Sequence, residues 1–146
     1  MSGKPDISLL AFDVSNNCVG RAVTLGEVLS RCFRVEIIGP ASSADGVWLP
    51  CRESGIRVRW IPMGRLTGPG LLSQLAAMVN GRLIYALKPR LTSYGAGLLA
   101  RRQSGLPLVL DIDDWEGGFY RDHPRRMLKA ELRHPGNLNN VLTTLA

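Results

Sequence analysis

The sequence predicts an α/β fold: an open, mostly parallel sheet of about five strands with helices on both faces. Short apolar runs of strand length alternate with stretches whose apolar residues recur at spacings of three and four. A strand, a helix and a second strand fit within residues 7–38, the length of one βαβ unit. Turn signals at Gly39-Pro40, Asn80-Gly81 and Gly105 stand where such runs end.

Ile7 to Phe12 reads as a buried first strand. From Val19 to Phe33, Ala22, Leu25, Val28, Leu29 and Cys32 give a helix one apolar face to lay on a sheet. Val35 to Ile38 is the second strand, expected to stop at Gly39-Pro40. Residues 40–55 are polar and turn-rich, a loop with room for one short helical turn. Ile56, Val58 and Trp60 alternate with Arg57 and Arg59, so the third strand has one wet face and belongs at or near a sheet edge. After a Gly/Pro loop at 64–70, Leu71 to Val79 forms a helix that Asn80-Gly81 would end in a left-handed cap. Leu83 to Leu87 is the fourth strand, and Pro89 stops its ladder. Thr92 or Ser93 then caps a helix running to Arg102, closed by Gly105. Leu108 to Ile112 is the fifth strand, apolar enough to be buried on both faces. Right-handed crossovers join these pieces into a single Rossmann-like domain over residues 1–146, with the first strand central.

The 146 residues, 45% hydrophobic and 21% charged, suffice to bury a core without disulfide or metal, and they exclude disorder, collagen and coiled coil. Cys18, Cys32 and Cys51 are odd in number and lack C-x-x-C or a His at ligand spacing. No apolar run approaches the roughly 20 residues a bilayer span needs. The N-terminus has no cleavage site of the secretory type, so a cytoplasmic protein is expected. A net charge of +6 admits nucleic acid, anionic lipid or phosphorylated ligands. No interleaved aromatic and basic stripe and no recognition helix supports nucleic acid. Arg121, Arg125, Arg126, Lys129 and Arg133 cluster near the end of the chain, behind Trp115, Phe119 and Tyr120. They form a solvated helix face or a peripheral contact with an anionic membrane, at its inner face.

In such a sheet, ligands bind beyond the carboxyl ends of the strands, near the point where strand order reverses. The loop Ser15 to Gly20 leads into a helix N-terminus, which favours an anion, but it lacks the G-x-G-x-x-G of a dinucleotide site. Gly64 to Gly70 matches a phosphate loop only in glycine content. The sharpest feature is the strand end carrying Asp111, Asp113, Asp114 and Glu116. Carboxylates so close repel one another unless cations or donors offset them, which marks a candidate site. The competing reading is a strand end whose carboxylates cap the next helix and pair with local arginines.

Leu110 to Asp114 looks like the nucleophile motif of haloacid-dehalogenase-type phosphatases, with Asp111 as nucleophile and Asp113 as acid/base. It stands at the wrong end of the chain, with Trp115 where Thr or Val is usual. The short Asp-x-Asp also resembles the manganese motif of GT-A glycosyltransferases, a pattern common by chance.

More of the chain supports another resemblance. Tyr85 to Gly95, with Lys88-Pro89, the helix ending at Arg101 to Gly105, and the strand from Pro107 to Asp113, Asp114, Trp115 and Glu116 are similar to the N-terminal half of GT-B glycosyltransferases of the retaining, family-4-like group. The opening strand, helix and Val35 to Pro40 resemble that domain's first βαβ unit, so the likeness spans roughly residues 6–120. The resemblance implies an acceptor-side domain with no cofactor or metal of its own. A nucleotide-sugar donor would be held by a C-terminal domain that this chain lacks, and a glycan or lipid-linked acceptor would be bound here. It implies that Asn17 and Gly20 approach the donor phosphates, that Lys88 and Ser93 stand at the cleft edge with Asp111, and that Asp113 and Asp114 serve as the catalytic pair. Many relatives carry His at the place of Asp113 and some carry Arg at that of Thr24. The apolar pattern of 137–146 reads as an element cut short, so a truncated chain, inactive alone, is expected. A non-catalytic α/β binding module is the alternative function.

Overall fold

The structure, a computed structural model, describes residues 4–63 and 69–113. Five strands, β1 (Ile7–Leu10), β2 (Val35–Ala41), β3 (Arg57–Pro62), β4 (Leu83–Leu87) and β5 (Leu108–Asp111), form one sheet in the order β3-β2-β1-β4-β5, with every pairing parallel. It is the expected Rossmann-like open sheet with β1 at its centre. Helices α1 (Val19–Leu29), α2 (Pro69–Met78) and α3 (Ala96–Ser104) make the crossovers, and a 3-10 turn at Leu49–Cys51 interrupts the passage from β2 to β3.

Alternation along the strands divides the core in two. Ile7, Leu9, Ile37 and Leu87 face α1 and the 3-10 turn, whereas Leu10, Ile38, Ile84 and Ala86 face α2 and α3. Both layers are closed to water at β1, where all four residues are buried. Among the described residues, no helix is long and apolar enough to cross a membrane.

Several elements differ from expectation. β2 does not stop at Gly39-Pro40 but continues to Ala41, with Gly39 beside Trp60 and Pro40 beside Ile61 in the ladder. Glycine is required there by close approach rather than by a turn, since a Cβ at Gly39 would lie 2.6 Å from the Ala11 carbonyl oxygen. Gly81 is similar: it takes no left-handed cap, and a Cβ there would lie 2.6 Å from the Ser8 amide nitrogen. α1 ends at Leu29, and its buried face is Val19, Ala22, Val23 and Gly26; Val28 is 56% exposed and Cys32 is also exposed. The small residues decide this rotation. At Gly26 a Cβ would stand within 3.6 Å of Ile56 and Leu9, so the helix rests on its least bulky side. β5 is not buried on both faces, because it forms a sheet edge among the described residues and leaves Val109 39% exposed. The wet edge strand at β3 and the left-handed closure at Gly105 agree with the sequence reading.

A buried polar network ties the end of α2 to the sheet. The Ser8 hydroxyl donates to Glu36 Oε1 at 2.8 Å and accepts from the Gly81 amide at 2.9 Å. Arg59 Nη1 reaches Glu36 Oε2 at 3.3 Å and the Met78 carbonyl at 2.7 Å. A carboxylate as buried as Glu36 is tolerable only with such partners.

Candidate functional site at the carboxyl edge of the sheet

Strand order reverses between β1 and β4, so the loops leaving these strands stand where open α/β sheets bind their ligands. The first loop is tied down by Asp13, which is buried. Its carboxylate accepts from the Ser15 amide at 2.8 Å, the Ser15 hydroxyl at 2.6 Å, Asn16 Nδ2 at 2.9 Å and the Ser42 hydroxyl at 2.6 Å. Asn16 Oδ1 in turn accepts the Cys18 amide at 3.0 Å, a local side-chain turn that brings the chain into α1. Asn17 is exposed on the outer side of this loop. The Gly20 amide donates to the Asn17 carbonyl at 3.0 Å, and the position where Gly20 would carry a Cβ faces the Trp48 ring.

The second loop begins at Lys88, the only non-glycine residue with positive φ (71°) among those described. Its amide donates to the Asp111 carbonyl at 2.9 Å, and its own carbonyl accepts from the Arg90 amide and from the Ser93 hydroxyl, both at 2.8 Å. Thr92 and Ser93 therefore do not cap α3 from outside. They lie buried within a wide turn, Leu91–Gly95, that runs into the helix. The Thr92 hydroxyl donates to the Phe12 carbonyl at 2.8 Å, and the Arg90 guanidinium sits 5.5 Å from the centre of the Phe12 ring. These two contacts tie the loop after β4 to the chain leaving β1.

The acidic strand end meets two cations. Arg21 grips both oxygens of Asp111 at 2.8 to 3.0 Å and approaches Asp113 at 3.6 Å, while Lys88 Nζ lies 3.5 Å from Asp113. The bidentate bond to Asp111 raises the Arg21 pKa above its ordinary value, more than burial lowers it. Burial first, and then the Asp111 charge, push the Tyr85 phenol up against the opposing effect of Arg21. Two cations and two carboxylates thus compensate one another at the end of β4 and β5. Among the described residues no group of three or more carboxylates, thiols or imidazoles is arranged to hold a metal ion.

The structure thus brings Lys88, Ser93, Asp111 and Asp113 to one edge, and sets Asn17 on the neighbouring loop and Gly20 in the first turn of α1. Asp114, Glu116 and the basic segment 121–133 lie outside the described residues. Sequence reasoning missed Arg21. The signal was available: a cation in the first turn of a helix opposes the helix dipole and calls for a nearby carboxylate. It also missed Arg90 and the bridging role of Thr92, because contacts between loops 80 residues apart leave no local pattern.

Comparison with protein-family models, with curated proteins and with solved structures finds no match.

Proposed function

We propose that this chain is the acceptor-side domain of a nucleotide-sugar-dependent glycosyltransferase. The observation that carries the reading is the pairing of Lys88 with Asp113 at the carboxyl edge of the sheet, next to the point where strand order reverses. A carboxylate and an ammonium side by side offer acceptor and donor to the hydroxyl groups of a sugar. The near balance of Arg21 and Lys88 against Asp111 and Asp113 suits a neutral polyol better than a free polyphosphate. Phosphatase chemistry fits less well, since both oxygens of Asp111 are engaged by Arg21 and the carboxylate is poorly disposed to attack phosphorus.

In this reading Asp113, with Asp114 next in sequence, orients the acceptor hydroxyl, and Lys88 steadies a neighbouring oxygen of the acceptor. The donor's diphosphate would be stabilised by a separate nucleotide-sugar domain, so this domain contributes position more than charge neutralisation. A transfer assay tests it. Residues 1–146 alone should move no sugar from any nucleotide-sugar donor. Joined to a donor-binding domain in one polypeptide, the chain should transfer, and Asp113→Asn, Asp114→Asn and Lys88→Ala should each impair turnover more than they lower the melting temperature. Transfer by the chain alone would refute the division of labour, and parallel loss of melting temperature and turnover would assign these residues to structure.

A further inference from the structure

The contact between Arg21 and Asp111 is not one that packing requires. α1 rests on β1 and β2, and β4 separates β1 from β5, so the helix lies to one side of the strand that carries Asp111. Arg21 nonetheless extends from the first turn of α1, beside Tyr85 of β4, and closes on both oxygens of Asp111 at 2.8 to 3.0 Å. Stability is a poor reason for this pair. A cation in the first turn of a helix opposes the helix dipole. With 47% of the Arg21 side chain exposed, water also screens the pair and leaves it a small net contribution.

What the contact fixes is geometry. A guanidinium bound to both oxygens holds a carboxylate in one plane, as a single point charge does not. Asp111 is also the residue that holds the start of the loop after β4. Its carbonyl accepts the Lys88 amide at 2.9 Å, and Lys88 is kept at φ 71° with its own carbonyl bound by the Arg90 amide and the Ser93 hydroxyl. Asp113 then stands with one oxygen 3.6 Å from Arg21 and the other 3.5 Å from Lys88. We propose that Arg21 is a positioning residue, which acts through Asp111 to set Asp113 opposite Lys88. Its effect on acceptor binding rests on the glycosyltransferase reading, whereas its effect on Lys88 does not. The side chains of Arg21 and Asp111 work as one unit, so removing either removes the whole effect.

The test compares the full chain with Arg21→Ala, Arg21→Lys, Asp111→Asn and the double variant Arg21→Ala with Asp111→Asn. Arg34→Ala is the control, since its pair with Asp6 is as exposed, at 46%, but stands at the amino ends of β1 and β2. Three quantities are measured: Tm, hydrogen exchange of the Lys88 amide, and affinity for methyl glycosides by nuclear magnetic resonance titration. Arg21→Ala and Asp111→Asn should each lower Tm by no more than about 4 °C. Both should speed Lys88 exchange roughly tenfold or more and weaken glycoside binding roughly fivefold or more. The double variant should go little further than the worse single, Arg21→Lys should recover only part of each loss, and Arg34→Ala should leave exchange and affinity as they are. Unchanged Lys88 exchange in Arg21→Ala would overturn the proposal whether or not any sugar binds. So would full recovery in Arg21→Lys, which would make charge alone the cause. A much larger fall in Tm with faster exchange throughout the sheet would overturn it too, by making the pair a structural tie. A wild type that binds no glycoside while Lys88 exchange still responds to Arg21 would count against the glycosyltransferase reading and support the positioning role.

Discussion

Replacing Lys88 by glycine and by alanine should separate its backbone from its charge. At φ 71° a side chain other than glycine costs roughly 1–2 kcal/mol. Glycine relieves that strain but adds freedom to the unfolded chain, which offsets about 0.5–1 kcal/mol. Either substitution removes the 3.5 Å contact with Asp113, a partly screened pair worth on the order of 1 kcal/mol or less. The hydrogen bonds of the Lys88 amide to Asp111 and of the Arg90 amide to the Lys88 carbonyl survive in both variants. Lys88→Gly should therefore melt close to the wild type, whereas Lys88→Ala, still strained and now unpaired, should be less stable by about 0.5–1 kcal/mol. At this chain length that separates the two by about 2–4 °C. Thermal unfolding by circular dichroism reads the difference, and acceptor binding should fall in both. If the alanine variant melts at or above the glycine variant, the strain assigned to this turn is wrong.

Asp6 accepts Arg34 through the side chain first and the backbone second, which lowers its pKa from 3.8 to about 2. The folded value lies below the unfolded one, so the stabilising contribution is complete above pH 3.8 and lost as pH falls towards 2; carbon-detected titration should find this depressed value, and Arg34→Ala should restore an ordinary one. Gly81→Ala should destabilise by about 1–3 kcal/mol or more, because its Cβ meets the Ser8 backbone at 2.6 Å, whereas Gly55→Ala, with φ +73° and nothing within 4 Å, should cost only about 1–2 kcal/mol of backbone strain, both read by chemical denaturation.

The fold was legible where one local rule governed. The unbroken apolar run at Ile7–Leu10 marked a central strand, the Arg57 and Arg59 alternation marked an edge, and Gly105 closed a helix as its φ requires. It was illegible where a distant neighbour decided. Gly39 and Gly81 read as turns because sequence cannot distinguish a glycine that bends the chain from one that admits another backbone. The α1 face was legible in part: Ala22 is buried and Leu25 and Leu29 pack against the core, whereas Val28 and Cys32 are exposed because Ala22 and Gly26 set the distance to the sheet. At the candidate site the carboxylates were visible as a local cluster. Their compensation was not, since Arg21 lies 90 residues before Asp111 and meets it only after β5 has taken its place beside β4.

The central claim, that the carboxyl edge around Lys88 and Asp113 binds a sugar acceptor, is tested most directly by nuclear magnetic resonance. The nitrogen-15-labelled chain would be titrated with methyl glycosides of glucose, mannose and N-acetylglucosamine, and with their lipid-diphosphate-linked forms in micelles. The account predicts that at least one acceptor shifts the amides of Arg21, Lys88, Asp111 and Asp113 together, saturably, and that Asp113→Asn weakens the response while the rest of the spectrum is retained. Shifts that avoid this edge for every sugar, or that persist unchanged in Asp113→Asn, would contradict it.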